Sequence, residues 1–173
     1  TYKYHFAEGL EATDYWLEID GTWYYFGHDN IMQTGWVKDD GNWYYMDLKT
    51  GALFTGWHEI SGKWYYFNQD SYALTGWQNL NGKWYYMNGS GEMQTGWQAI
   101  NGRWYYLDGS GAMQTGWQRL GGQWYYLDPS GAMQTGWQAI NGKYYYLGTN
   151  GAMYYNTWTP DGKYVDGSGA WVQ

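Results

Sequence analysis

The side chains of this chain that could bind a ligand are aromatic rings at a fixed spacing. A tryptophan is followed seven residues later by a second ring, which opens an aromatic triplet, and the unit returns after about 20 residues. The leading rings are Trp16, Trp36, Trp57, Trp77, Trp97, Trp117 and Trp137. The second rings are Trp23, Trp43, Trp64, Trp84, Trp104, Trp124 and Tyr144. Several ring faces around one void attract a weakly hydrated cation, above all a quaternary ammonium. The sequence therefore predicts a series of cation cages.

Repetition favours binding over core packing as the role of these rings. A core uses aliphatic side chains as much as rings to fill space, but this chain carries 15 Trp and 22 Tyr. A flexible, polarizable methionine also recurs in the linkers between the units. The equivalent linker positions hold Met32, Leu53, Ala73, Met93, Met113, Met133 and Met153.

No group of residues indicates catalysis. The three histidines are dispersed, and the acids that recur after the triplets, such as Asp47, Asp108 and Asp128, are typical of turns. The chain has no cysteine, which excludes disulfides, thiolate metal sites and a thiol nucleophile. We expect no catalytic residues, no metal site and no cofactor in this segment, although its parent protein could carry an enzyme upstream.

Charge and hydropathy exclude two other classes of partner. Nine basic residues against sixteen acidic ones give a net charge of −7, which disfavours a nucleic-acid partner. No apolar run is long enough to predict membrane insertion, and no intact secretory leader opens the chain. The chain begins at Thr1 inside an incomplete repeat, which suggests a piece of a longer protein.

Each repeat is predicted to be a β-hairpin. In the unit from Trp97 to Leu107, two aromatic runs flank Asn101-Gly102, a pair typical of a two-residue type I′ turn. Such a turn sets the register and pairs Trp97 with Tyr106 and Ala99 with Trp104. Since side chains alternate between faces, one face carries the tryptophans and the third tyrosine, and the other carries Ile100 and Leu107. We expect the aliphatic face to form the core between repeats.

The period predicts an all-β solenoid of stacked hairpins, because one hairpin is marginally stable alone and gains stability from its neighbours. Residues 1–15 are expected to form an incomplete N-terminal repeat or cap. Residues 16–153 form the tandem repeats, and residues 154–173 form a degenerate C-terminal repeat or cap.

Across residues 16–158 the motif Gly-Trp-x4-Gly-x-Trp-Tyr-Tyr-x4-Gly-x-Met-x-Thr-Gly-Trp resembles the choline-binding (cell-wall-binding) repeats of streptococcal and pneumococcal surface proteins and autolysins. The resemblance implies a left-handed superhelix of hairpins. It also implies a secreted module at the bacterial cell wall that binds choline or phosphocholine of teichoic acids. In that family, two tryptophans of one repeat, a tyrosine of the next and a linker methionine enclose each choline.

Carried onto this sequence, the resemblance implies six cages, each with two tryptophans, a linker residue and the third tyrosine of the next triplet. The first three are Trp16, Trp23, Met32 and Tyr45, then Trp36, Trp43, Leu53 and Tyr66, then Trp57, Trp64, Ala73 and Tyr86. The last three are Trp77, Trp84, Met93 and Tyr106, then Trp97, Trp104, Met113 and Tyr126, then Trp117, Trp124, Met133 and Tyr146. The middle tyrosine of each triplet is the alternative to the third.

Two departures from the motif weaken particular cages. Ala73 deprives the third cage of its fourth wall. A seventh cage around Trp137, Tyr144 and Met153 would need a tyrosine from the next repeat, where the motif places Asp166.

Two other functions are compatible with the repeat. Glucan-binding repeats have a similar motif, and sugars also stack on tryptophan and tyrosine, but sugar sites need polar groups directed at hydroxyls and this ring-bearing face has few. A purely structural spacer would leave the cages empty.

Overall fold

The computed structural model describes residues 14–172, so the predicted N-terminal cap lies almost entirely outside the described residues. Within this range the chain forms strands, turns and bends and contains no helix. The first eight strands are β1 Tyr15–Ile19, β2 Thr22–Phe26, β3 Gly35–Asp39, β4 Asn42–Met46, β5 Gly56–Ile60, β6 Lys63–Phe67, β7 Gly76–Leu80 and β8 Lys83–Met87. The others are β9 Gly96–Ile100, β10 Arg103–Leu107, β11 Gly116–Leu120, β12 Gln123–Leu127, β13 Gly136–Ile140, β14 Lys143–Leu147, β15 Thr157–Trp158 and β16 Tyr164–Val165.

Consecutive strands pair as antiparallel two-stranded sheets, which confirms the predicted hairpins. In the hairpin of β9 and β10, Trp97 lies opposite Tyr106, and Ala99 lies opposite Trp104, as predicted. The turn residues Asn101 and Gly102 have φ values of 51° and 76°. Positive φ at both positions is the requirement of a type I′ turn, whose twist matches that of the paired strands.

The fold divides into two compact units. The first unit extends to Gln78 and includes Tyr86–Met93, and the second contains Asn79–Tyr85 and the residues from Gln94 onward.

The core of both units is built from one face of each hairpin. Leu107 is fully buried and Ile100 is 7% exposed, which confirms that the aliphatic face is the core face. The residue that ends the second strand is fully buried in most hairpins. These residues are Met46, Phe67, Met87, Leu107, Leu127, Leu147 and Val165. Truncation of one such side chain to alanine typically costs about 2–5 kcal/mol.

Backbone hydrogen bonds tie the linkers from Leu53 onward to an earlier hairpin. The Met133 amide donates to the Trp104 carbonyl at 2.8 Å, and the Met153 amide donates to the Trp124 carbonyl at 2.7 Å. In the first unit, Leu53 donates in the same way to Trp23 at 3.0 Å. Each of these linkers follows the next hairpin along the chain, so it spans two consecutive hairpins.

The linker turns are closed by a polar side chain at their first residue. Asp108 Oδ1 accepts hydrogen bonds from the amides of Ser110 and Ala112, at 2.8 and 3.1 Å. Asp128 makes the equivalent contacts with Ser130 and Ala132. These bonds confirm the prediction that the recurring acids are turn residues.

Aspartates in these turns should make the array sensitive to acid. Hydrogen bonds, first from the Ser110 and Ser168 side chains, lower the pKa of Asp108 and Asp166. For Asp128, partial burial raises the pKa, but hydrogen bonds led by Ser130 outweigh it and lower the pKa overall. A lowered folded-state pKa stabilises the fold at pH values above the ordinary pKa of about 3.9, and protonation removes that stabilisation as the pH falls through the folded-state pKa.

We predict that replacing Asp108, Asp128 and Asp166 together by asparagine reduces the loss of stability on acidification. Asparagine keeps the acceptor oxygen, as Asn88 shows by accepting from Ser90 and Glu92, but it does not titrate in this range. Thermal unfolding between pH 7 and pH 3 measures the effect. Asp20→Asn and Asp40→Asn, in hairpin turns, control for lost charge. Equal acid sensitivity in the triple variant and the parent would contradict the prediction.

Candidate functional site

A cavity of about 360 Å³ in the second unit is walled by rings from two consecutive hairpins. Its lining residues are Trp97, Trp104, Tyr125, Met133, Thr149 and Asn150. The Trp97 and Trp104 ring centroids are 6.5 Å apart, with the planes at 82°. The Tyr125 ring lies 5.0 Å from Trp97 at 65°. These rings are held nearly edge to face beside the cavity, an arrangement that aromatic pairs favour.

The same arrangement recurs one repeat later in the second unit, around a cavity of about 450 Å³. The Trp117 ring lies 6.4 Å from Trp124 and 4.9 Å from Tyr145. Met153 forms a further wall, and Arg119 lies at the edge of the cavity. This cavity is therefore lined by aromatic rings together with a guanidinium group.

The first unit contains a smaller cavity of about 250 Å³ lined by Trp16, Trp23, Tyr44 and Leu53. The Trp16 ring lies 4.8 Å from the Tyr44 ring. The Trp16 indole Nε1–H donates to Asp39 Oδ2 at 2.7 Å, which holds that ring in place. Polar residues at the edge of this cavity are Gln69, Asp70 and Ser71.

Equivalent contacts occur around Trp36 in the first unit. Its ring lies 6.2 Å from Trp43 and 4.9 Å from Tyr65. The amide of Ala73 donates to the Trp43 carbonyl at 2.7 Å, so Ala73 stands where Leu53 and Met133 stand in the other cages.

The second tryptophan of each pair is left unusually open to solvent. Trp104 is 47% exposed, whereas the core residue Leu107 of the same strand is fully buried. The equivalent exposed rings are Trp23, Trp43, Trp64, Trp84 and Trp124. A large apolar side chain left exposed at the same place in successive repeats indicates a binding surface.

The phenol groups of Tyr44 and Tyr65 stay neutral. Burial raises the pKa of Tyr44 and of Tyr65 above the ordinary value of a phenol. The attraction that these two walls offer to a cation therefore comes from ring faces.

The third tyrosine of the triplet, predicted as a cage wall, and the middle tyrosine, its predicted alternative, have different ring partners in the structure. The third tyrosine packs on the tryptophan of its own hairpin: Tyr126 lies 5.2 Å from Trp117. The same contact places Tyr45, Tyr66, Tyr86, Tyr106 and Tyr146 on Trp36, Trp57, Trp77, Trp97 and Trp137. A cage between two hairpins needs a ring from the opposite face of the second one, and the middle tyrosine, Tyr125 or Tyr145, occupies that face.

In three cavities the linker residue comes from one repeat later than the sequence predicted. Met133 lines the cavity of Trp97 and Trp104, where the sequence predicted Met113. Leu53 replaces the predicted Met32 in the first cage. The reason is the backbone hydrogen bond described above. It joins the linker with Met133 to the hairpin of Trp104, although this linker follows the next hairpin along the chain.

The same backbone bonds place Ala73 and Met93 one cage earlier than the sequence predicted. Ala73 belongs with Trp36 and Trp43, and the amide of Met93 bonds to the Trp64 carbonyl at 2.8 Å. The paired tryptophans of the predicted third cage, Trp57 and Trp64, lie 6.4 Å apart. The residues of the predicted fourth cage are divided between the two units, so that assignment stays a prediction.

Within residues 14–172, no group of three or more His, Cys, Asp or Glu side chains could hold a metal ion. In the same range, no helix is long and apolar enough to cross a membrane. Arg119 and Asp70, at the edges of two cavities, were not among the predicted site residues, because the repeat has no fixed residue type at their positions.

Repeated cages of paired tryptophans, a tyrosine and an apolar linker residue define a class of hairpin-repeat binding protein. The chain matches the family model described as choline-binding repeat over residues 12–55, 54–77, 74–115 and 114–158. It therefore belongs to the choline-binding repeat family.

Three solved structures have a similar fold. Choline-binding protein F from Streptococcus pneumoniae, crystallised with a peptidoglycan analogue (tetrasaccharide-pentapeptide), is 43% identical, with a TM-score of 0.87 over 91% of this chain and 57% of that one. CbpJ from Streptococcus pneumoniae TIGR4 is 42% identical, with a TM-score of 0.86 over the same shares of the two chains. CbpF in complex with ipratropium, obtained by soaking, is 41% identical, with a TM-score of 0.83 over 91% of this chain and 58% of that one.

The chain thus spans less than two thirds of the length of these relatives. No curated protein sequence matches it significantly.

The cavity of Trp97, Trp104 and Tyr125 predicts which tyrosine substitution weakens choline binding. Tyr125→Ala should weaken choline binding between Trp97 and Trp104 roughly tenfold, since one ring contributes about 0.5–2 kcal/mol and about 1.4 kcal/mol is tenfold. The choline-induced shift of the Trp104 indole N–H resonance measures binding at this cage. Tyr126→Ala is the matched control and should leave that titration midpoint unchanged. The opposite result would restore the third tyrosine as the wall.

Proposed function

We propose that this chain is a non-catalytic cell-wall-binding module that holds choline groups in its aromatic cages by cation–π contacts. The cage of Trp97, Trp104, Tyr125 and Met133 carries this proposal, because its walls are three ring faces and a thioether around an open cavity. A trimethylammonium group cannot donate a conventional hydrogen bond, so ring faces and desolvation are the contacts that suit it.

Each cage should bind choline weakly. Three rings at about 0.5–2 kcal/mol each, with burial of methyl groups and less the cost of association, give a free energy near the −4.1 kcal/mol of a millimolar site. Weak single sites allow release by free choline.

Several weak cages on one chain can give strong attachment to a polymer that carries many choline groups. Simultaneous engagement raises overall binding by roughly 10²–10⁴ over a single site when the geometry permits it. Teichoic acids bearing phosphocholine are such polymers, and Arg119, which lines the cavity of Trp117, supplies a positive charge for the phosphate. The module would thereby anchor its parent protein to the bacterial surface.

The relatives support this assignment. CbpF has been crystallised in complex with ipratropium and, separately, in the presence of a peptidoglycan analogue. Because this chain spans only part of those proteins, secretion, surface location and the activity of the parent protein are proposals that follow from the family. The left-handed solenoid and the roles of the chain ends as caps likewise stay predictions.

A titration with choline beside glucose and a glucan oligosaccharide tests the function. We expect millimolar choline binding, retention on a quaternary-amine resin with elution by free choline, and a rise in melting temperature, because choline binds the folded form. Trp104→Ala should lose one binding event and cost less stability than Leu107→Ala, since Trp104 is half exposed and Leu107 is buried. Glucan retention without a choline-dependent thermal shift would favour the carbohydrate-binding array instead. Binding of neither ligand would favour a structural spacer.

Among the cages whose linker residue the structure describes, the cage of Trp36 and Trp43 should bind choline most weakly. Ala73 supplies little contact there, and Lys38 Nζ already lies 5.7 Å from the Trp43 ring centroid. A side-chain carbon at Gly91 would lie 3.6 Å from Ala73 Cβ, so the glycine leaves space beside this position.

We predict that Ala73→Met strengthens choline binding at this cage several-fold, because a methionine sulfur on an aromatic ring contributes about 0.3–1.5 kcal/mol. The Trp43 indole N–H resonance reports the change, and the Trp64 resonance is the internal control. If choline binding became stronger at Trp64 and did not change at Trp43, Ala73 would belong to the cage of Trp57 and Trp64 that the sequence predicted.

A further inference from the structure

The strands of the last hairpin pair in a register that the spacing of its glycines does not predict. Val165 bridges to Trp171, as Leu147 bridges to Met153 in the preceding repeat. The Asp166 amide donates to the Ala170 carbonyl, as the Gly148 amide donates to that of Ala152. Val165 therefore takes the place of Leu147, and Trp171 takes the place of the linker methionine.

By the same register Lys163, two residues before Val165, stands where Tyr145 stands two residues before Leu147. Asp166 belongs to the linker turn, where its Oδ1 accepts from the Ser168 and Ala170 amides. The prediction that Asp166 occupies the tyrosine position of a seventh cage was wrong, because the strands of this hairpin, Thr157–Trp158 and Tyr164–Val165, are shorter than those of the other hairpins.

The frame of a cage is nevertheless present around Trp137. The Trp171 ring lies 6.2 Å from Trp137 and 6.1 Å from Tyr144. The Trp171 amide donates to the Tyr144 carbonyl at 2.8 Å, which is the bond that Met153 makes to Trp124 one repeat earlier. Three aromatic rings thus occupy positions equivalent to the walls of the cages described above.

A cation of the chain itself lies over two of these rings. Lys163 Nζ is 5.1 Å from the Trp137 centroid and 5.2 Å from the Trp171 centroid. Both distances are within the range of about 6 Å for a cation–π contact. Lys38 contacts one ring, Trp43, whereas Lys163 contacts two.

Asp161 holds this lysine in place. Its Oδ2 lies 3.3 Å from Lys163 Nζ and accepts the Trp137 indole N–H at 3.1 Å, while its Oδ1 accepts the Thr159 hydroxyl at 2.6 Å. Hydrogen bonds from Thr159 first, and then from Trp137 and Lys163, keep the pKa of Asp161 below its ordinary value. The carboxylate therefore stays charged and retains both the lysine and the ring.

We infer that Lys163 is a built-in ligand of the last cage, which it closes to choline, and that its removal opens a further quaternary-ammonium site around Trp137, Tyr144 and Trp171. The choice of ligand class rests on the proposed function. A tethered ammonium has a high effective concentration at its own site and therefore competes well with a free ligand of millimolar affinity.

Calorimetric titration with choline tests this inference. Lys163→Gln should bind one more choline per chain than the parent, because it removes the resident cation. Lys163→Tyr should do the same, because it supplies the ring that Tyr125 and Tyr145 supply elsewhere. Lys143→Gln removes an equal charge from an exposed position one repeat earlier and should leave the number of sites unchanged. An unchanged number in both Lys163 variants, with folding verified by circular dichroism, would overturn the inference.

A second measurement is independent of choline. Ring currents should shift the Lys163 ε-methylene proton resonance upfield of that of Lys143 in the parent protein, and Trp171→Ala should remove most of this shift. An ε-methylene resonance at the position of a free lysine would overturn the inference without affecting the proposed function. Absence of choline binding to every variant, with the upfield shift intact, would instead overturn the proposed function and the opened site while leaving the lysine contact in place.

Discussion

The backbone hydrogen bond that ties the linkers from Leu53 onward to an earlier hairpin is the contact on which the cages depend. In the second unit it joins Met133 to Trp104 and Met153 to Trp124. This bond places the linker side chain beside the tryptophans of one hairpin while the linker itself continues from the next. Because it uses only main-chain atoms, it tolerates Leu53, Ala73 and Trp171 at the same position, and cage chemistry can vary without loss of the arrangement.

The two faces of the hairpin differ in how deeply they are buried. Leu107 and its equivalents are fully buried, so most of the hydrophobic stabilisation comes from the aliphatic face and from the middle tyrosine packed on the preceding tryptophan. Trp104 on the other face stays half exposed. A ring that the fold buries only in part has surface left for a ligand. Because the ligand binds the folded form, its binding adds to the stability of the array.

Charge differs from cage to cage although the rings recur. Arg119 lies beside the Trp117 cage, Asp70 beside the Trp16 cage, and Lys163 over the rings of Trp137 and Trp171. The ring faces supply the common attraction for a cation. The neighbouring charged residues give each of these cages different electrostatic surroundings.

Local rules of sequence determined the hairpins, and only packing between hairpins decided the complete cages. Asn101-Gly102 determines the type I′ turn, and the turn determines that Trp97 and Trp104 share a face. The choice of Tyr125 over Tyr126 was decided by which face of the next hairpin meets those rings, which no pattern within one repeat contains. The position of Lys163 depended in the same way on tertiary contacts, because shorter strands moved the register of the last hairpin and the bridge from Val165 to Trp171 reveals it.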